Sequence, residues 1–290
     1  MRRRAFAGDV AGRAGFAVFA AVALAPIAWS LGYAALYSVG LAGLLADGFT
    51  LRHWAKLGAG GGLWASFAWS AYVTAASVGV TVAASLALAL ALRPYLARAR
   101  GPLATLLHLP LAIPATVSAF LVAQTLAPFG SLARVARAVG LVGAGEGIPN
   151  VVQDSFGAGM IVANAGLAVP FFTLLFAQLY ERERVGDLVR MAQTLGASSR
   201  EAFARVTLPV LLRRAAPNVA LLAVVVLGSY EVPLLLDRQA PQMLSVLAMR
   251  KFSMFDVAQK PEAFVVAVAY TVVVLAALAF VLRKERRGAA

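Results

Sequence analysis

The sequence is poor in the residues that do most enzyme chemistry. It has no cysteine, two histidines and 13 acidic residues in a chain of 290. Zero cysteine excludes disulfides, thiolate metal sites and thiol nucleophiles. His53 and His108 stand far apart and form no ligand pattern, so no metal site is expected. No glycine-rich loop ends in Lys-Ser or Lys-Thr, so the chain has no phosphate loop of its own. No Ser/His/Asp or His/Glu/Asp set converges, and no catalytic residue and no bound cofactor are expected. Charged residues make up only 13% of the chain and hydrophobic ones 61%. With a mean hydropathy of +0.80 this is too apolar for one ordinary soluble domain. A net charge of +13 would suggest nucleic acid in a soluble protein. Here most basic residues fall in short links beside apolar runs, which signals membrane topology, and no aromatic-rich basic face accompanies them.

Six apolar runs are long enough to cross a bilayer, which takes about 20 helical residues. They lie near 16–37, 67–92, 103–127, 158–180, 217–236 and 263–282. The expected fold is therefore an all-α polytopic membrane protein. It has a basic segment at 1–15, a six-span domain over 16–282 and a basic tail at 283–290. The opening MRRRAF reads as a topogenic anchor, because five further spans follow it. With the N-terminus inside, eighteen basic residues face the cytoplasm and eight face out, which places both termini in the cytoplasm. Of the outer links, Leu132, Val135, Ala136 and Val139 predict a short helix with an apolar stripe opposite Arg134 and Arg137. The stretch 242–256 can re-enter the bilayer or, as favoured, lie along the outer face as a surface helix covering the bundle.

The largest polar interruption is 181–214, which carries seven basic and four acidic residues between two apolar runs. Its pattern predicts two amphipathic helices, about 184–195 and 199–206. Gly196 can end the first with a positive φ, and Ser198 or Ser199 can cap the second. Pro209 lacks the N–H needed to continue the helix undisturbed. This is a handle at a membrane surface, suited to be gripped by another protein.

Polar residues within the spans are few. In the second span Ser66, Ser70, Thr74, Ser77, Thr81 and Ser85 recur every three or four residues on one helix face. The stripe suits close helix packing, with a pore-lining face, including Ser77 and Thr81, as the alternative. Glu231 is the one acid well inside an apolar run, and it must face protein or water. With Tyr230 and Ser229 it can contact a passing cation, or it can pair with Arg238 at the outer surface. Asn164, Gln124 and Gln178 complete the set, and Asn164 is the deepest. Prolines 26, 110, 114, 170 and 233 interrupt the spans.

The segment MAQTLGASSREAFARVTLPVL, with the LPLAIP run at 109–114 and Pro170, resembles the EAA loop and spans of ABC-importer permeases of the binding-protein-dependent, type I family. Aligned on Gly196, the loop's Glu-Ala-Ala falls on Arg190, Met191 and Ala192. Gln193, Leu195, Gly196, Ala197 and Ser198 form its centre, and Phe203, Leu208 and Pro209 its exit. The chain departs from the family at Arg190, where an acid is usual; Asp187 or Glu183 can supply the acidic contact instead.

The resemblance implies the type I permease fold with a cytoplasmic coupling helix, in the bacterial inner membrane. It implies a cytoplasmic ATPase dimer that uses ATP and Mg, a second permease subunit, identical or homologous, and an extracytoplasmic solute-binding protein. GSYEVPLLL is similar to the polyamine-type branch, whose relatives carry thiamine, ferric iron, sulfate or molybdate. Glu231 favours a polyamine-like cation. An ATP-independent secondary transporter would show paired inverted repeats and several intramembrane charges, which are not seen. A membrane scaffold is the remaining rival.

Overall fold

The computed structural model describes residues 12, 15–43, 46, 48–96, 102–143 and 145–289. The basic residues Arg2, Arg3, Arg4, Arg13, Arg98 and Arg100, used in the topology count, lie outside them. In chain order the helices are α1 (Gly15–Ser38), α2 (Arg52–Ala59), α3 (Gly62–Ala91), α4 (Pro102–His108) and α5 (Ala115–Leu126). There follow α6 (Ser131–Ala138), α7 (Ala158–Arg182), α8 (Val185–Thr194) and α9 (Ser199–Gly228). The last three are α10 (Glu231–Leu236), α11 (Leu244–Phe252) and α12 (Lys260–Ala289). Among the described residues there is no strand. Six helical segments are long and apolar enough to cross a membrane: α1, α3, Ala115–Ala138, α7, α9 and Lys260–Ala279.

Two of the expected spans are corrected. The third, expected as one helix over 103–127, is cut. Proline pushes the residue before it out of the helical region, and Ile113 before Pro114 is extended (φ −82°, ψ 121°). The chain therefore makes α4, a 3-10 turn over Leu109–Ala112, and a new start at Ala115. The apolar segment then continues beyond Leu126 into α6. A side chain at Gly130, in the turn between α5 and α6, would come within 2.5 Å of the Gln124 carbonyl. The fifth span, expected over 217–236, begins at Ser199 and ends at Gly228 instead. Ser229 is extended (ψ 141°), and α10 restarts so that Pro233 falls in its first turn, where a missing N–H leaves no bond unmade.

Pro209 does not end its helix either. A π turn over Phe203–Thr207 precedes it, with Leu208 N–H bonded five residues back to the Phe203 carbonyl. The wider turn makes room for the proline ring against the preceding turn. The same device precedes Pro26, where a π turn spans Ala20–Leu24 and Ala25 N–H bonds the Ala20 carbonyl. α12 continues helically through the basic tail to Ala289.

The chain divides into two compact units, Met1–Trp64 with Leu247–Val273, and Ala65–Val246 with Val274–Ala290. In the first, Tyr37 stacks on Phe264 at 4.3 Å between centroids, and Phe252 meets Phe264 edge-on. Gly43 (φ 112°) lies so close to the Tyr37 ring that any Cβ would collide with it. Glu262, 4% exposed, is held at 2.6 Å by both Lys56 and Lys251. Its carboxylate raises the pKa of the Lys56 ammonium by hydrogen bond and charge, since protonation strengthens both.

The second unit has two apolar cores. Near the start of α3, Trp69 and Val73 pack with Ala119, Met160, Ala163, Val232, Leu236 and Met243. Toward its other end, Leu86 and Ala89 pack with Phe172, Phe176, Tyr180, Val185, Leu211 and Ala215. All six Ser/Thr residues of the α3 stripe are buried. Ser85 Oγ donates to the Val169 carbonyl of α7, beside Pro170, and Ser70 Oγ accepts from Leu244 N–H. Such short hydroxyl side chains let backbones approach and bond across helices. The apolar stripe of α6 behaves otherwise. Leu132, Val135 and Val139 are exposed, and Ala133 is the residue turned inward.

Candidate functional site

The handle is built by four local choices of the sequence. Arg184 takes a left-handed conformation (φ 48°) and turns the chain sharply out of α7. Val185, fully buried, then plugs the second core and fixes the root of α8. At the far end Gly196 (φ 91°) closes a Schellman motif. Its own N–H bonds the Gln193 carbonyl at 3.0 Å, and Ala197 N–H bonds the Ala192 carbonyl at 3.0 Å. Ser198 caps α9 by a capping box: its Oγ accepts from Glu201 N–H, and Glu201 Oε2 accepts from Ser198 N–H at 2.9 Å. Of the two capping candidates it is Ser198, not Ser199, that fills the position.

Among the polar residues on its outer surface the handle presents an apolar stripe. Leu188, Met191 and Leu195 follow at helical spacing and are 39%, 62% and 89% exposed. Arg190 does not stand alone, because its guanidinium pairs with Asp187 one turn earlier at 2.7 Å. Glu183 is engaged elsewhere, with Arg214 of α9 at 3.1 Å. Asp187 is thus the acid beside Arg190. Gln193 is exposed, with Nε2 3.5 Å from Ser199 Oγ, and Ala192 and Ala197 are half-buried. Phe203 and Leu208 are placed apart from the stripe. With Leu212 and the Gly79–Leu90 face of α3 they line an apolar hollow of about 390 Å³. Pro209 follows them on the exposed side.

Arg93, just past α3, reaches the handle's root. Its Nη1 donates to the Tyr180 hydroxyl at 2.8 Å, and its Nε lies 3.5 Å from a Glu181 carboxylate oxygen. No sequence signal marked this residue, since it reads only as one more arginine beside a span.

The residues expected along a pathway fall into three places. Ser229, Tyr230 and Glu231 sit together at the break between α9 and α10. Ser229 Oγ donates to the Val226 carbonyl, and the Ser229 carbonyl accepts from Ser245 Oγ. Glu231 is exposed and has no partner among the described residues. Of the two readings open for it, the pairing with Arg238 is not made. Ser77 and Thr81 of α3 and Asn164 of α7 are buried, and the Ser77 hydroxyl and the Asn164 amide nitrogen have no hydrogen-bond partner among the described residues. Gln124 is exposed on α5 and does not join them.

Arg238 is instead part of a group not anticipated from the sequence. Asp237, 6% exposed, accepts from Trp69 Nε1 at 2.9 Å, from Met243 N–H at 2.6 Å and from Arg238 N–H at 2.9 Å. The Arg238 guanidinium lies 3.8 Å from the centroid of the Trp69 ring. The available signal was an acid closing the apolar run LLLD, with a tryptophan in a distant span.

No protein-family profile matches the chain. No curated protein sequence matches it. A solved bacterial ABC transporter involved in the import of the acidic polysaccharide alginate is similar in structure, with a TM-score of 0.69. The likeness covers 98% of this chain and 96% of that one at 18% sequence identity. At that identity the likeness is one of fold. The chain has the all-helical fold of an ABC-importer permease, with six membrane-capable helices.

Proposed function

We propose that this chain is the membrane permease subunit of an ATP-driven importer and forms half of its translocation pathway. A cytoplasmic ATPase dimer, a second permease subunit and an extracytoplasmic binding protein complete the assembly. The observation that carries the reading is the exposed Leu188–Met191–Leu195 stripe, borne on a helix whose root is locked into the core of an importer-permease fold. An apolar stripe of this kind, flanked by the Asp187–Arg190 pair, suits a groove on a partner protein, where buried apolar anchors carry most of the binding energy. Asp187, Arg190, Met191, Ala192, Gln193, Leu195, Gly196, Ala197 and Ser198 form the docking segment, with Phe203, Leu208 and Pro209 at its exit. The charge asymmetry of the links supports a cytoplasmic location for this segment and both termini, with 16–282 spanning what we take to be a bacterial inner membrane. Motion of the docked helix becomes rigid-body movement of the spans.

The test is co-purification. Tagged wild-type chain is expected to bring down a protein that hydrolyses ATP. In Met191→Glu/Leu195→Glu the recovered ATPase activity should fall at least ~10-fold while the yield of the chain is kept. Wild-type chain that recruits no ATP-hydrolysing partner would refute the reading.

For the solute we favour a polyamine-like cation over thiamine, ferric iron, sulfate or molybdate. The support is Glu231, an unpaired carboxylate at the α9–α10 break. An anionic solute would meet repulsion there, whereas a cation gains a contact. Uptake of a polyamine by vesicles carrying Glu231→Gln should fall about tenfold, the equivalent of ~1.4 kcal/mol. Unaltered uptake would remove the reason for preferring a cation.

A further inference from the structure

Three elements meet at the root of the docking helix, and only two of them are joined to it by the chain. The turn at 183–184 links α8 to α7, and the Gly196 turn links it to α9. The second span, α3, has no such link. It touches the root through Leu86 and Ala89 in the apolar core around Val185, and through Arg93. Apolar contacts resist separation but have no preferred direction, so they permit sliding. Arg93 is the directional contact.

Its geometry is specific to arginine. The guanidinium donates to the Tyr180 hydroxyl at 2.8 Å and its carbon lies 4.2 Å from the centroid of the Tyr180 ring. Nε is 3.5 Å from Glu181 Oε1, and a Cβ on Gly186 would lie 3.7 Å from Nη2. Both bonded partners lie on the last turn of α7, and the same group stands beside Gly186 in the first turn of α8, where there is no side chain to push it away. A lysine ammonium can neutralise Glu181, but it cannot present this fork of donors. The ion pair is not the main element, because both side chains are about half exposed, at 45% and 59%, and water screens them. Tyr180 is only 7% exposed, so the hydroxyl bond and the ring contact are the anchored part.

We infer that Arg93 is a positioning residue that couples the second span to the docking helix, so that α3 moves with α8 when the ATPase closes. The inference rests on the permease reading, and its test separates the two. The chain has no cysteine, so spin labels placed through Leu88→Cys on α3 and Thr194→Cys on α8, an exposed position outside the docking stripe, report one distance without further engineering. In the labelled chain the distance distribution should be narrow, broader in Arg93→Gln, and intermediate in Arg93→Lys. In proteoliposomes holding the complex with its recruited ATPase, Arg93→Gln should keep both ATPase recruitment and ATP hydrolysis. Solute moved per ATP should fall roughly fivefold or more, within the usual range of coupling between sites, with partial rescue by Arg93→Lys. A distribution as narrow in Arg93→Gln as in wild type, or unchanged solute per ATP, would overturn the assignment. Parallel loss of chain yield and ATPase recruitment would also overturn it, since that is the mark of a stability role alone. If wild-type chain recruits no ATPase the permease reading falls, and the label distances still decide whether Arg93 ties α3 to α8.

Discussion

Asp237→Ala is expected to lower the melting temperature of the detergent-purified chain by about 10 °C, the largest stability effect of any single substitution proposed for it. The side chain accepts three N–H bonds within a buried site, from Trp69, Arg238 and Met243. These tie α3 to the segment that follows α10 and to the approach to α11. Removing the acceptor leaves three buried N–H donors without this partner, at a cost of about 1–3 kcal/mol for each that stays unsatisfied. Asp237→Asn should cost less, since one oxygen remains, and Trp69→Phe less again, because one donor and its acceptor site are lost while the ring packing stays. A melting temperature for Asp237→Ala close to wild type would show that the group is not a keystone.

The same residue gives a pH signature. Burial pushes the Asp237 carboxyl above the ordinary aspartate range, while the N–H groups of Met243, Trp69 and Arg238, and the Arg238 charge, oppose the rise. A raised folded-state pKa means that the folded chain binds the proton more tightly than the unfolded one. The proton-linked part of the stabilisation is therefore full below the ordinary aspartate value and is lost as pH rises through the raised one, while the carboxylate goes on accepting its three N–H bonds above it. The Asp237 contribution to the melting temperature should decline in part as pH rises above the ordinary aspartate value, and the step should be missing from Asp237→Asn.

Much of this architecture was legible in the sequence because bilayer crossing is set by length and apolarity, which composition records directly. The spans at 16–37, 67–92 and 158–180 fall on α1, α3 and α7. The readings that changed changed at proline. A run of apolar residues does not say whether a proline will kink, break or be absorbed, since that depends on the turn before it. Pro114 breaks its helix because Ile113 cannot stay helical, whereas Pro209 is absorbed by a π turn. The α6 stripe shows a second limit. Periodicity locates an apolar face but not what covers it, and Leu132, Val135 and Val139 face away from the chain's own core. The groups at Asp237 and Arg93 were illegible for a third reason. Each joins residues far apart in the chain, 168 positions in the Trp69–Asp237 bond and 87 in the Arg93–Tyr180 bond, and no local pattern encodes such pairs. The handle was readable because its signals are local: a glycine, a capping serine with Glu201 three residues on, and an amphipathic period.

Those local signals lead to the largest expected effect on transport, that of Gly196→Val. Gly196 is at φ 91°, and nothing lies within 4 Å of where a Cβ would be. The substitution therefore meets no collision, and its whole penalty is the backbone conformation. A β-branched residue strongly disfavours positive φ, at a cost of about 1–2 kcal/mol or more. The chain can escape that strain only by opening the Schellman closure, which forfeits the bonds from Gly196 N–H and Ala197 N–H to the Gln193 and Ala192 carbonyls. Because the turn is exposed and contributes nothing to either core, yield should be kept and the melting temperature should fall by only a few degrees. The angle between α8 and α9 would no longer be fixed, and the docked helix would turn without moving the fifth span. Solute uptake by the reconstituted complex is expected to fall by ~10-fold or more with ATP hydrolysis retained. Gly196→Asn discriminates this from simple intolerance of a side chain. Asparagine adopts left-handed conformations readily, so it should preserve most of the transport that valine abolishes. Equal transport in the valine and asparagine variants would show that the turn geometry does not carry the coupling.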